Sequence, residues 1–114
     1  MTTQTSKQLA QETPTTTTAI TLYEGSVASN TIISSLKVCN TDTDANATAS
    51  CRVFHNAAGT NYDTTNAIYY DKTVNAKQTI SLDAGALNGA GSIGVRSSSA
   101  NALTFTLYGT ETTA

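Results

Sequence analysis

The sequence predicts an all-β fold, an antiparallel β-sandwich or jelly roll of about seven to eight strands with an extended N-terminal arm. Three observations carry this. From Ala19 onward apolar residues recur with a period of two rather than 3.6. The runs are separated by turn-forming residues at Glu24-Gly25, Asn75-Ala76, Asn88-Gly89, Ala90-Gly91 and Asn101. No amphipathic helical pattern of useful length interrupts them. A chain of 114 residues holds one core, and short strands at this spacing bury their apolar faces best as two packed sheets, with a small barrel as the alternative.

The elements follow in order. Residues 1–18 form a polar lead with the only proline, Pro14, and the run Thr15 to Thr18. Alone it has too little apolar surface to order itself, so it is expected to be an arm held by neighbouring chains, with residues 19–114 as the sandwich domain. The expected strands are Ala19–Tyr23, Thr31–Cys39, Ala47–His55, Ala67–Val74, Lys77–Leu82, Ser92–Ser97 and Leu103–Gly109. Alternation is clearest in the second and last. Ile32, Leu36 and Val38 oppose Ser35 and Lys37, and Leu103, Phe105 and Leu107 oppose Thr104, Thr106 and Tyr108, so those six apolar residues are expected in the core.

Composition narrows the function. Charged residues make up 12% of the chain and Thr supplies 23 positions, giving a surface polar by hydroxyls and amides that suits packing against other proteins. With a net charge of −2 and six scattered Lys and Arg residues, no patch neutralises a run of phosphates, which argues against nucleic acid. The first residues lack the apolar run of a signal peptide and no stretch reaches membrane-spanning length, so synthesis in a cytoplasm and no membrane partner are expected.

The chemical motifs fail one by one. Asp42-Thr43-Asp44-Ala45-Asn46 opens like a calcium loop, but Ala47 and Val53 stand where that loop needs glycine and glutamate. A polar hairpin tip is the plainer account. Asn46-Ala47-Thr48 matches a glycosylation acceptor and means little without a secretory signal. His55 is the sole histidine, and no serine occupies a nucleophile-elbow pattern. Asp63, Asp71, Asp83 and Glu111 are dispersed, and the Gly85 to Gly94 stretch lacks the lysine of a phosphate-binding loop. The chain is therefore expected to be no enzyme and to hold no cofactor or metal.

Contact residues are expected among the tyrosines, which offer rigid apolar area with a polar tip. Tyr62 and Tyr70 are the leading candidates, together with Thr15, Thr16, Thr17 and Thr18 of the lead. Of the adjacent Tyr69 and Tyr70, alternation puts one outward. Cys39 and Cys51 are expected to flank one hairpin tipped by Asp42 to Asn46, on opposite faces of it, as two free thiols with Cys51 buried.

The ordered series Leu22-Tyr23, Ile32 to Asn40, Arg52-Val53, Ile68-Tyr69-Tyr70-Asp71 and Asn101 to Gly109 resembles small virion structural proteins of marine and freshwater tailed phages, over nearly the whole chain from Gln8. Where such proteins commonly carry proline and glycine after the leucine-tyrosine pair, Glu24-Gly25-Ser26 stands here. The resemblance implies a β-sandwich subunit of the virion. Its expected role is capsid decoration, a cement protein, usually trimeric, bound to the major capsid protein or other virion proteins of the assembled shell. The alternatives are a neck or tail adaptor or fibre-associated protein, and, from another class, a carbohydrate-binding sandwich, which would want exposed aromatics and finds no tryptophan here.

Overall fold

A computed structural model describes residues 3–42 and 47–113. Among the described residues nine strands form two antiparallel sheets: β1 (Thr3–Glu12), β2 (Ile20–Glu24), β3 (Ser29–Asn40), β4 (Thr48–Asn56), β5 (Ala67–Asn75), β6 (Thr79–Leu82), β7 (Ala86–Asn88), β8 (Ser92–Ser97) and β9 (Leu103–Thr113). One sheet runs β1-β9-β3-β6, with β7 also paired to β3, and the other runs β2-β8-β4-β5. The described residues contain no helix. This is the expected sandwich.

Its core is the filling between the sheets. Leu36, Val38, Leu103, Phe105 and Leu107 from the five-stranded sheet meet Cys51, Val53, Val74, Ile93 and Val95 from the four-stranded one, all buried. Taking each such side chain out of water contributes about 1.5–3 kcal/mol. Asn40, buried where β3 ends, couples the sheets: its Nδ2 donates to the Val74 carbonyl at 3.0 Å and its Oδ1 accepts the Asp42 N–H at 3.0 Å.

One of the six expected core residues is outside. Ile32 is 61% exposed, and Ile33 is buried instead. The pairing of β3 with β9 shifts between Ile33 and Ser35, and such a bulge inverts which alternate residues face inward. Downstream of it Leu36 and Val38 point inward as expected.

Two strands are additions to the seven expected. β7 is three residues inside the glycine-rich stretch, with Leu87 alone buried, too short for a period-two pattern to mark it in the sequence. β1 lies in the polar lead and pairs along its length with β9 of the same chain, from Thr3↔Thr113 to Glu12↔Phe105. Most of its side chains are exposed, and hydroxyl and amide pairs take the place of apolar contacts: Ser6 with Thr110 at 2.8 Å, Gln11 with Thr106 at 2.9 Å, and just beyond the strand Thr13 with Thr104 at 2.8 Å. Leu9 and Ala10 alone pack against the core. Pairing within its own chain therefore orders the lead over residues 3–12.

The expected hairpin between Cys39 and Cys51 does not form, because β3 and β4 belong to different sheets. Cys39 lies across from Thr79 and Thr104, and Cys51 across from Lys72 and Ser97. Both thiols are free and Cys51 is buried, as expected.

Candidate binding site

The outer face of the four-stranded sheet carries a group of charged and aromatic side chains in mutual contact. Along β4, Ala49, Cys51 and Val53 point into the core, so Arg52 and Phe54 point out. Along β8, Ile93 and Val95 point in and Arg96 points out. Register sets Arg52 directly opposite Arg96 and Phe54 opposite Gly94. From β5, Tyr69 packs toward the core and Tyr70 faces outward, 51% exposed.

Two like charges facing each other across a ladder repel, and Asp71 offsets the repulsion. Its carboxylate accepts from Arg52 Nε at 2.8 Å and Nη2 at 3.3 Å, and lies 3.7 Å from Arg96 Nη1. Arg52 holds the Asp71 carboxyl below the usual carboxylate range, and Asp71 in turn raises the Arg52 guanidinium further. Asp71 reaches this place from a left-handed backbone, φ 56°, a conformation that Asp tolerates better than most residues. The Arg52 guanidinium also lies over the Tyr70 ring, 3.9 Å from its centroid.

The loop between β4 and β5 folds back over this face. Asn56 and Asn66 each donate from Nδ2 to the Asn61 carbonyl at 2.7 Å. Tyr62 then lies on the sheet, its ring 5.7 Å from that of Phe54 and its hydroxyl bonded to Thr21 at 2.8 Å and Ser92 at 2.9 Å. Position 94 must be glycine for this, since a Cβ there would come within 2.6 Å of the Tyr62 ring. Asp63, beside it, accepts the hydroxyl and N–H of Thr65, which lower its carboxyl. On the other side the connector from β1 to β2 crosses the sheet, where Arg96 Nε donates to the Thr17 carbonyl at 2.9 Å. Between these walls opens a groove of about 470 Å³ lined by Thr17, Thr18, Arg52, Phe54, Tyr62, Asp63, Tyr70 and Arg96 among others.

Of the six residues singled out from the sequence, Thr17, Thr18, Tyr62 and Tyr70 line this groove. Thr15 and Thr16 lie in the exposed connector, with Thr16 bonded to Thr18 at 3.0 Å. Tyr62 differs from expectation in one respect: both neighbours of its hydroxyl belong to the fold, so it forms the groove's wall. The missing members were Arg52, Arg96, Asp71 and Phe54, since no local signal says which strand lies beside which. The outward phase of Arg52 on β4 is legible from the inward set Ala49, Cys51 and Val53.

His55 Nε2 lies 2.7 Å from the Ala86 carbonyl. Thr43 to Asn46 of the calcium-loop-like run, and with them Asn46 of the glycosylation pattern, lie outside the described residues. Val53 of that run is a core residue.

The opposite sheet offers a second surface. β1 is its edge strand, ten residues long, and its outer face joins Tyr108 and the exposed Ile32 to a field of Thr, Ser and Gln side chains.

No protein-family model and no curated protein matches the chain. Similar solved structures are viral capsid structures. A chain of the acidic stable capsid structure of Helicobacter pylori bacteriophage KHP30 is 11% identical with a TM-score of 0.54, over 97% of this chain and 92% of that one. A mutant VP2 protein of infectious bursal disease virus, in derived T=1 particles, is 9% identical with a TM-score of 0.53, over 97% of this chain and 31% of that one. A chain of the Gt strain of the same virus is 11% identical with a TM-score of 0.50, over 96% of this chain. This chain spans 28% of the length of that Gt-strain chain. At these identities the likeness is one of fold.

Proposed function

We propose that the chain is a non-enzymatic virion structural protein, a decoration or cement protein that binds the assembled shell of a tailed phage. One observation carries the reading. In the infectious bursal disease virus proteins the shared sandwich is less than a third of the chain, whereas in the KHP30 capsid structure a chain of nearly this size is matched almost end to end. A lone sandwich of that size suits an accessory subunit added to a shell.

The contact surface we assign to the shell is the outer face of the five-stranded sheet with its edge strand β1. That face is rich in hydroxyls and amides, which hydrogen-bond to a partner without stripping water from charges, and an edge strand presents unpaired N–H and C=O groups to a neighbour. Residues 1–18 would act as a clamp, β1 through its open edge and Thr15 and Thr16 through their exposed place in the connector. A protein that binds only the assembled state stabilises it by mass action, and a homotrimer bound to the major capsid protein is the assembly we propose. No nucleic-acid or membrane contact is part of it.

Imaging the intact particle tests the reading. Copies distributed over the shell are expected. Copies confined to one vertex would replace it with a neck or tail adaptor, and absence from the particle would overturn the virion role. A chain lacking residues 1–18 loses β1 as well as the connector, so it should lose binding to shells while the remaining sandwich still unfolds cooperatively, and undiminished binding would sink the clamp.

A further inference from the structure

We infer that the groove on the outer face of the four-stranded sheet is a binding site for a neutral saccharide of one or two rings. It lies on the sheet opposite the face assigned to the shell, and the inference stands without that assignment.

Size comes first. A volume of about 470 Å³ falls within the roughly 300–1,000 Å³ of small-molecule sites. The lining then selects the chemistry. A sugar ring presents adjacent hydroxyls, each both donor and acceptor, and a patch of C–H groups on one face. Planar side chains that offer paired donors or acceptors match the hydroxyls, and an aromatic ring matches the C–H face. Here Arg52 and Arg96 bring guanidinium donors, Asp63 a carboxylate acceptor, and Thr17 and Thr18 hydroxyls that serve either way. Tyr70 supplies the ring: the Arg52 guanidinium covers one side and fixes it, while half the side chain stays exposed.

Charge decides against an ionic ligand. The two arginines of the groove are balanced by Asp71, which bonds to Arg52 and lies near Arg96, and by Asp63 on the rim. A phosphate or carboxylate would compete with Asp71 for the charge of Arg52 and Arg96, whereas a neutral polyhydroxyl ligand uses only the N–H groups that Asp71 does not take and leaves the Arg52–Asp71 pair intact. The walls are also built before any ligand arrives. Tyr62 is anchored by Thr21, Ser92 and the Gly94 backbone, and Thr17 by Arg96, which lowers the ordering cost of binding.

The test is a titration of the full-length, nitrogen-15-labelled chain with glucose, galactose, mannose, rhamnose and N-acetylglucosamine and their disaccharides, followed by amide correlation spectra. At least one sugar should shift the amides of Thr18, Ala19, Phe54, Asp63 and Thr64 with a Kd of about 1 mM or tighter, and show intermolecular Overhauser contacts to the Tyr70 ring. Tyr70→Ala should weaken binding at least tenfold and Tyr70→Phe less, while Val27→Ala, at an exposed position between β2 and β3 and outside the groove lining, should leave it unchanged. No response from any sugar at roughly 20 mM, which would leave less than about 2.5 kcal/mol of binding, would overturn the inference. So would a response that survives Tyr70→Ala, or one that sodium acetate reproduces. The Overhauser contacts need no variant and decide the matter should the substitutions disturb folding.

Discussion

Arg52 and Arg96 stand directly opposite each other on β4 and β8, and one carboxylate, Asp71, serves both. Three residues from three strands thus form a charge group whose two arginines repel each other once the acid is removed. Asp71→Asn should lower the thermal midpoint at neutral pH. Asn also tolerates the left-handed backbone, so the change isolates the charge. The Asp71 carboxyl lies below its ordinary value because of Arg52. Its contribution is therefore present above the unfolded-state pKa and is lost as pH falls through the lowered one. The difference in midpoint between wild type and Asp71→Asn should shrink in acid, and a difference that persists at pH 2 would show that the carboxylate's charge is not the cause.

Tyr62, a wall of the groove, packs on Gly94 of the sheet beneath it. Gly94→Ala places a methyl group where the ring lies, so the loop must lift or the sheet must bend, at about 1–3 kcal/mol. Tyr62→Phe keeps the ring and removes the hydroxyl shared with Thr21 and Ser92, costing about 1 kcal/mol. Urea unfolding followed by near-ultraviolet circular dichroism measures both. If Gly94→Ala costs less than Tyr62→Phe, the packing of the loop on the sheet is looser than described.

Ile32 and Phe105 test the phase of the core. Alternation alone puts both inside, yet the bulge after Ile33 turns Ile32 outward and leaves Phe105 buried. Phe105→Ala should cost about 3–5 kcal/mol and Ile32→Ala less than about 0.5 kcal/mol, read from denaturant midpoints. The contrast marks where the sequence stops being legible. Period-two patterning located seven strands and five of the six expected core residues, because a strand with one buried face writes that face into its own residues. A bulge leaves no such mark. β1 went unrecognised for a related reason: its Thr, Ser and Gln side chains pair with hydroxyls on β9, so it never alternates apolar with polar. The groove was half legible. Tyr70 and the threonines stand out by type, but the meeting of Arg52 with Arg96 depends on strand order, which is a property of the whole chain.

Glu111 ties β1 to the sandwich. Its carboxylate takes Lys7 Nζ at 2.7 Å and the Tyr23 hydroxyl at 2.5 Å, and these two, Lys7 foremost, hold its pKa below the ordinary value. Tyr23 is raised, chiefly by burial and next by that carboxylate. The Glu111 contribution is present above the unfolded-state pKa and disappears as pH falls through the lowered one. Acid should therefore loosen β1 first. Amide exchange measured at pH 6 and pH 3, corrected for intrinsic rates, should show protection falling more in β1 than in β3, and Glu111→Gln should reduce that difference. Equal loss in both strands would mean that Glu111 does not govern the docking of β1.

Cys39 and Cys51 close the set, because their reactivities should differ by environment. They lie on strands of opposite sheets, Cys39 half-buried on the outward phase of β3 and Cys51 in the core. Burial pushes the Cys51 thiol up to about 11, Lys72 opposing only in part. Since the thiolate is the reacting form, and the folded protein also blocks access to Cys51, a disulfide-exchange reagent at pH 8 should titrate one thiol quickly. The second should follow only at the rate of unfolding. Denaturant should expose two at once. The Cys39→Ser variant should lose the fast phase and the Cys51→Ser variant the slow one. The latter should also lose stability, since a hydroxyl replaces a sulfur among Val53, Val95 and their neighbours. Two equally fast phases in the native protein would show that Cys51 is not held in the core. No free thiol under denaturation would require the two sheets to be linked where the structure keeps the cysteines apart.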